Sequence, residues 1–331
     1  MSGLRNLVDK LKPTFSEGGK LSFLASTFDA FETFLFVPNT TTQKGAHIRD
    51  CNDMKRTMIV VSYVVGLGIE FAFAQARGHE VNEGFLVSGL LIPMVMPVGT
   101  PLWMIALGTA FAVVFGKEVF GGTGMNVFNP ALLARAFVFF AYTPQMSGEK
   151  VWFAVDSVSG ATALEQLSTT GAMSYSNLDA FLGFIPGCVG ETSTLAILIG
   201  AAILLFTGIA SWRTMLSVFA GGWLMGLLFN AVGANAYCEI PAWQHLIVGG
   251  FAFGAVFMAT DPVTSAQTNA GKYIVGLMTG ALAVMIRVVN PAYPEGMMLS
   301  ILFMNALAPL VDYFVVESSI SRRKKRVKTA K

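Results

Sequence analysis

The sequence predicts an all-α, polytopic transmembrane helical bundle of about nine spans, and three observations carry that expectation. Charged residues make up only 13% of the 331 residues and hydrophobic ones 54%, whereas an ordinary soluble domain carries about 25% charge. The mean hydropathy is +0.61. Apolar runs approaching the roughly 20 residues of a membrane-spanning helix recur along the chain with polar joints between them.

The elements follow in order. Residues 1–57 form an N-terminal cytoplasmic or interfacial segment. Within it Phe23, Phe28, Phe31, Phe34 and Phe36 give an aromatic, partly amphipathic stretch suited to a membrane interface. The bundle covers 58–316, with apolar runs at 58–75, 85–98, 101–115, 130–142, 194–210, 215–233, 245–259, 274–289 and 297–314. The second, third and fourth are short, so they are either packed inside the bundle or broken. Polar joints lie at 77–83, 116–129 and 261–272, and a long loop at 143–193. Residues 317–331 form a basic tail with Arg322, Arg323, Lys324, Lys325, Arg326, Lys328 and Lys331. The run Ala110–Phe115 echoes Ala252–Phe257, either as an internal repeat or as a chance likeness of apolar hexamers.

The positive-inside rule places the basic tail in the cytoplasm. Counting back from it puts the joints 261–272, 116–129 and 77–83 inside and the loop 143–193 outside. The same count leaves the basic N-terminal segment outside, which the rule disfavours, because an odd number of spans cannot bring both basic ends to one side. A net charge of +2 points to no nucleic-acid partner. Cys51, Cys188 and Cys238 form no CxxC pair, and His47, His79 and His245 are scattered, so neither set suggests a metal centre. The polar first residues do not resemble a cleavable signal peptide.

Several residues could carry chemistry. Glu70 falls within an apolar run and Asp312 near the end of the last one. A charged side chain at a helix centre costs roughly 2.5–3.5 kcal/mol on insertion scales, so such acids point to a pathway or a partner. For Asp312 the basic tail is a ready partner. Asp261-Pro262 reads as a helix N-cap with proline in the first turn, compatible with ion access. Arg287 could snorkel or meet an anion. Gly121-Gly122-Thr123-Gly124 could present backbone N–H groups or let a ring approach the backbone, or simply allow close helix packing. Asp156-Ser157-Val158-Ser159-Gly160-Ala161-Thr162 is, by its residues alone, a polar turn with an accessible threonine hydroxyl.

That turn resembles the flavinylation motif of two related membrane families, the NqrB component of the Na+-translocating NADH:quinone oxidoreductase and the RnfD component of the Rnf electron-transport complex. The strings Lys117–Gly124, Asn129–Leu132, His79–Gly84, Met258–Val263 and Arg287–Met298 are similar to the first, and so is the stretch through His47-Ile48-Arg49-Asp50. The likeness covers nearly the whole chain from Glu70 to Arg323.

The resemblance implies FMN in phosphoester linkage to Thr162, with Asp156, Ser159, Gly160 and Ala161 around it, installed by a separate flavin transferase. It implies a noncovalent riboflavin, for which Gly121, Gly122 and Asn126 are candidate lining. Gly66 and Glu70 match the quinone and inhibitor region, and Asp29, Asp261 and Asp312 match acids linked to Na+ uptake. Partners would be the other components of the quinone reductase complex (NqrA, NqrC, NqrD, NqrE and NqrF), quinone and the lipid of a bacterial inner membrane, with NADH bound elsewhere. The RnfD component, a non-redox transporter and a scaffold protein are the alternatives. The family has ten spans, and its members carry an extra span between the Lys55-Arg56 region and the helix of Glu70. Here Met58 runs directly into Ile59-Val60-Val61. A helix absent at this junction would also explain the parity conflict.

Overall fold

The computed structural model describes residues 48–78, 84–146, 162–170, 173–233, 237–290 and 295–329. Every regular element among the described residues is helical. In order they are α1 (Ile48–Arg77), α2 (Phe85–Val95), α3 (Leu102–Gly116), a 3-10 turn (Glu118–Phe120), α4 (Pro130–Ala141), α5 (Thr143–Met146), α6 (Ala163–Thr170) and α7 (Asn177–Leu182). Then come α8 (Thr194–Phe206), α9 (Trp212–Val232), α10 (Gln244–Ile247), α11 (Phe251–Phe253) running into a π turn (Gly254–Met258), α12 (Asn269–Val289) and α13 (Gly296–Thr329). Among the described residues five helices are long and apolar enough to cross a membrane, and α2, α4 and α8 are shorter apolar helices.

All nine apolar runs are therefore helical, but the seventh is not one helix. It breaks after Ile247, turns through Gly249 and Gly250 at φ +66° and +68°, and resumes at Phe251. Two consecutive residues in the left-handed region demand glycine. The break also separates the two hexamers that resemble each other: 110–115 lie in regular α-helix, whereas 252–257 cross from α into π geometry. The short helices have local causes. In α2, Pro93 lies close to the end, and the next residue after the helix, Met96, is extended before Pro97, a conformation a following proline favours. Asn129 opens α4, its Oδ1 accepting from Ala131 N and Leu132 N, with Pro130 at the first helical position.

Two aromatic pairs mark the ends of the bundle. Trp103 meets Tyr142 edge-to-face at 5.1 Å where α3 starts and α4 stops. Trp212 meets Tyr273 edge-to-face at 6.1 Å where α9 and α12 start. Such residues favour membrane–water interfaces. The second end also holds the C-terminus of α1, since the Arg77 guanidinium donates to Glu118 O (2.6 Å). It carries the basic end of α13 as well, because Asp312, halfway along that helix, bonds the residues just before α12. The 30-residue α1 thus starts at the end opposite the basic tail, and the parity conflict persists in the fold. Both α1 and α13 run unbroken through 57–58 and 316–317. Outward-facing Leu216, Trp223, Leu227 and Leu228 are exposed on α9, as suits a surface solvated by acyl chains.

The closest helix crossing is α9 on α12, and glycines make it. A Cβ at Gly221 would overlap Leu277 O, and one at Gly280 would overlap Val218 O. Gly276 and Gly280 are four apart on α12, so both face the partner helix, as in small-residue membrane helix pairs. Ser217 Oγ adds a bond to Lys272 O (3.2 Å) across the crossing. Gly280→Ala should lower the midpoint of thermal unfolding in detergent by the equivalent of about 1–3 kcal/mol, whereas Gly68→Ala, in α1 where a Cβ would meet nothing within 4 Å, should cost less.

Candidate functional site

Four polar assemblies lie inside the helical framework, and long-range partners build each one. At the tail end, Glu70 on α1 is 4% exposed and pairs with Lys117, which is 3% exposed at the end of α3. The Lys117 ammonium also sits 5.8 Å from the centre of the Phe85 ring. Gly66, one turn before Glu70, leaves room for that ring, which a Cβ there would overlap. Beside the pair, Glu118 Oε2 faces Arg77 Nη1 at 3.6 Å. The glycine joint folds back on these residues: Gly122 N–H donates to Lys117 O (3.1 Å), and a Cβ at Gly122 would lie 3.6 Å from the Glu118 carboxylate. Gly121, Gly122 and Gly124 have φ of +124°, +93° and +91°, which explains the glycine-rich string. Asn126 is half-buried in the same joint. The structure therefore gathers Gly66, Glu70, Gly121 and Gly122 around Lys117.

The second assembly ties the joints together at the same end. Asn129 Nδ2 donates to Asp261 Oδ2 (3.4 Å). With its amide nitrogen donating to Ile301 O, Asn305 on α13 accepts from Asn129 N–H at 3.2 Å. Asp261 also accepts from Val263 N–H (3.0 Å) and Thr264 Oγ1 (3.1 Å). No helix starts at Pro262, so Asp261 closes a side-chain turn and is not a helix cap. Burial pushes its pKa up, and the bonds from Val263 and Thr264 oppose that shift. Asp312 accepts from Gln267 N–H (2.6 Å), Thr268 N–H (3.1 Å) and Thr268 Oγ1 (2.5 Å). It caps the start of α12 from a neighbouring helix and does not need the basic tail as its partner. Asp261 and Asp312 thus grip the two ends of one loop. Asp29 lies outside the described residues.

At the other end, Arg287 neither snorkels nor reaches an exposed anion. It is fully buried, and donates through Nη1 to His245 O (2.7 Å) and through Nη2 to Gly249 O (2.6 Å). These carbonyls belong to the break between α10 and α11. Leu164, two residues after Thr162, packs on this corner: a Cβ at Gly249 would overlap its side chain. Thr162 is half-buried, and its carbonyl accepts Gln166 N–H (2.9 Å) as α6 begins. Asp156, Ser159, Gly160 and Ala161 lie outside the described residues. The structure therefore separates Thr162 from the Glu70 cluster, at the end remote from the basic tail.

A further group, absent from the sequence expectations, lies between. Arg135 in α4 is 5% exposed and donates to Glu295 Oε2 through Nε (3.0 Å) and Nη2 (2.6 Å), and to Cys188 Sγ through Nη1 (3.5 Å). Glu191 accepts Cys188 N–H (3.0 Å). Arg135, Glu191, Glu295, Phe253 and the Gly249–Gly250 backbone line a space of about 40 Å³, enough for water in a polar site. A signal for it exists in the sequence, since Arg135 is a lone cation within an apolar run.

Two outcomes test these contacts. Lys117→Met should strand the Glu70 carboxylate and destabilise the chain by about 3–5 kcal/mol, and adding Glu70→Gln should recover most of the loss in thermal unfolding. Arg287→Leu removes two charge-assisted bonds worth about 1.5–3 kcal/mol each. It should make the 244–250 corner susceptible to hydrogen exchange, with Arg287→Lys intermediate.

A family model described as the NQR2, RnfD, RnfE family matches residues 37–321. The B-type component of the Na(+)-translocating NADH-quinone reductase of Chromohalobacter salexigens is 44% identical over 397 aligned positions, covering 98% of this chain and 97% of the relative. The protein of the same name from Pseudomonas aeruginosa LESB58 is 42% identical, covering 97% and 98%. That from Azotobacter vinelandii is 41% identical, with the same coverage. An alignment of 397 positions against 331 residues means that the relative carries internal residues this chain lacks, as a missing span and its connector would produce. By the extent of the match and the identity to these relatives, the chain belongs to the NQR2, RnfD, RnfE family.

Proposed function

We propose that the chain is the NqrB membrane component of a Na+-translocating NADH:quinone reductase in a bacterial inner membrane, carrying FMN on Thr162 and serving quinone reduction coupled to Na+ export. The observation that carries this reading is the placement of Thr162. It is a half-buried threonine at the start of an eight-residue helix, at the bundle end opposite the Glu70–Lys117 cluster. The name shared by relatives at 41–44% identity supports the choice of complex over the Rnf alternative.

The residues fit a phosphoflavin at that position. The first N–H groups of a helix have no intrahelical acceptor, and together with the helix dipole they favour a phosphate. A flavin supplies the ability to exchange electrons one or two at a time. The chain supplies placement: Leu164 fastens the start of α6 to the Gly249 corner that Arg287 holds rigid. At the other end the Gly121–Gly124 joint offers open space, since a Cβ at Gly124 would meet nothing within 4 Å. That suits a second, noncovalent flavin, riboflavin, with Asn126 nearby. Gly66, Phe85 and Glu70 form a closely packed, buried apolar patch with one acid, beside which a quinone ring and its carbonyls would sit. Glu70 and Lys117 could hold and exchange a proton at a reduced quinone oxygen. Asp261 and Asp312, with Asp29, are the proposed acids of Na+ uptake, on the loop they anchor. NqrA, NqrC, NqrD, NqrE and NqrF would deliver electrons from NADH, and a flavin transferase would install FMN.

The test is in-gel fluorescence and intact mass of the denatured chain, made with the flavin transferase present. The unsubstituted chain should fluoresce and carry one FMN added with loss of water. Thr162→Ala should lose both signals and retain the quinone-site cluster. An unmodified, non-fluorescent natural chain would defeat the proposal and favour a non-redox membrane protein of the same fold.

A further inference from the structure

A cavity of about 340 Å³ opens at the tail end of the bundle, between the turn joining α8 to α9 and the first turn of α12. It belongs to none of the four assemblies described above. Arg213 and Lys272 line it, together with Ser211, Trp212 and the apolar Leu205 and Ile209, and no acid does. Among the described residues neither cation has a carboxylate partner. The Arg213 guanidinium lies 5.1 Å from the centre of the Trp212 ring, and Trp212 in turn meets Tyr273. Two positive groups are thus held beside one hollow without a counter-charge.

The polar floor of the hollow is also incomplete. Ser211 occupies the N-cap of the 21-residue α9, yet its side chain makes no capping bond. Its Oγ is shut from solvent and has no hydrogen-bond partner. Thr214, in the same first turn and 1% exposed, has an equally unpartnered Oγ1. Buried hydroxyls without partners are uncommon in folded chains, and here one of them, Ser211, lies beside two cations without carboxylate partners at a long helix N-terminus, where an anion is favoured.

The rim selects the kind of anion. Of the apolar lining residues, Ile209 is 69% and Leu205 41% exposed. These side chains continue the apolar surface of α8 outward from the cationic floor. A ligand that satisfies floor and rim together has a phosphate head and hydrocarbon tails. We propose that this cavity binds the phosphodiester head of an anionic phospholipid of the leaflet that faces the basic tail. Its phosphate oxygens would accept from Arg213 and Lys272, and its acyl chains would lie along Leu205 and Ile209. The cavity size falls within the roughly 300–1,000 Å³ range of small-molecule sites, and basic pockets between membrane helices are suited to such headgroups.

Native mass spectrometry on the delipidated full chain, purified with the proteins that accompany it in its complex, tests the proposal. Dioleoylphosphatidylglycerol should bind at least about tenfold more tightly than dioleoylphosphatidylcholine, given roughly fivefold per cation near an anionic headgroup. Arg213→Gln with Lys272→Gln should erase that preference, and Arg213→Lys with Lys272→Arg should keep most of it. If the double glutamine variant fails to assemble, each single variant should still lose about threefold or more. Equal binding of the two lipids by the natural chain would overturn the proposal, as would a preference unchanged by the glutamine variants. A third arm adds inorganic phosphate or glycerol 3-phosphate: competition at concentrations similar to those of the lipid would assign the site to a free anion and overturn the lipid assignment.

Discussion

The structure depends on how the backbone freed by a broken helix is satisfied away from water. The seventh apolar run stops at Ile247 and restarts at Phe251, so carbonyls at the break lose the N–H groups that a continuous helix would give them. In hydrocarbon each such group costs several kcal/mol when unpaired. Arg287, from α12, supplies donors to two of them, at His245 and Gly249. A guanidinium suits this task because its N–H groups project in a fixed fork. Thr194 Oγ1 takes a third carbonyl, that of Ile247, at 3.2 Å. The break is thereby a rigid corner, and three other parts of the fold rest on it: α6 through Leu164, the start of α8 through Thr194, and Glu191 beside Gly250.

The same economy explains the tail end, where carboxylates serve as cross-links between elements distant in sequence. Asp312 reaches the residues before α12, and Asp261 reaches the cap of α4 through Asn129. Each carboxylate accepts three hydrogen bonds from polar groups of its surroundings. At Asp261 these bonds oppose the upward push of burial on its pKa. The structural role of Asp261 and Asp312 and the ion-handling role proposed for them rest on different properties of the carboxylate. They are separable by substitution, since asparagine preserves the acceptor and removes the charge.

Much of this fold was legible in the sequence, because hydropathy reports burial in lipid one segment at a time. All nine apolar runs are helical, and the polar joints fall where glycine, proline and charge cluster. What was not legible shares one physical cause: it depends on partners far away in the chain. The break at Gly249–Gly250 interrupts a run whose hydropathy is continuous, because φ leaves no mark on hydropathy. Arg287 looked like a snorkelling residue because its carbonyl partners precede it by about forty positions. Asp312 looked like a partner of the nearby tail, yet it bonds residues 44 and 45 positions earlier. Of the candidate site, Gly66, Glu70, Gly121 and Gly122 do converge, through Lys117, a residue visible in the sequence only as the start of a glycine-rich string. Thr162 stands apart from them, at the other end.

The charges inside the bundle balance locally, and this explains how a membrane core tolerates so many of them. Glu70 is matched by Lys117, Glu118 by Arg77, and Arg135 by Glu295. Arg287 and Glu191 flank the two glycines of the broken helix from either side. Burying a matched pair is often close to neutral for stability, whereas stranding one member costs about 3–5 kcal/mol. The pairs therefore say little about why the fold is stable and more about what it can do. Arg135 is bonded to Glu295 from α13's approach while Glu191 lines the same small space, so one cation has two acids within the site that could neutralise it. Glu295 accepts two guanidinium bonds, while Glu191 is held by Cys188 N–H. The central cluster thus keeps one buried cation beside two acids brought together from segments far apart in the chain.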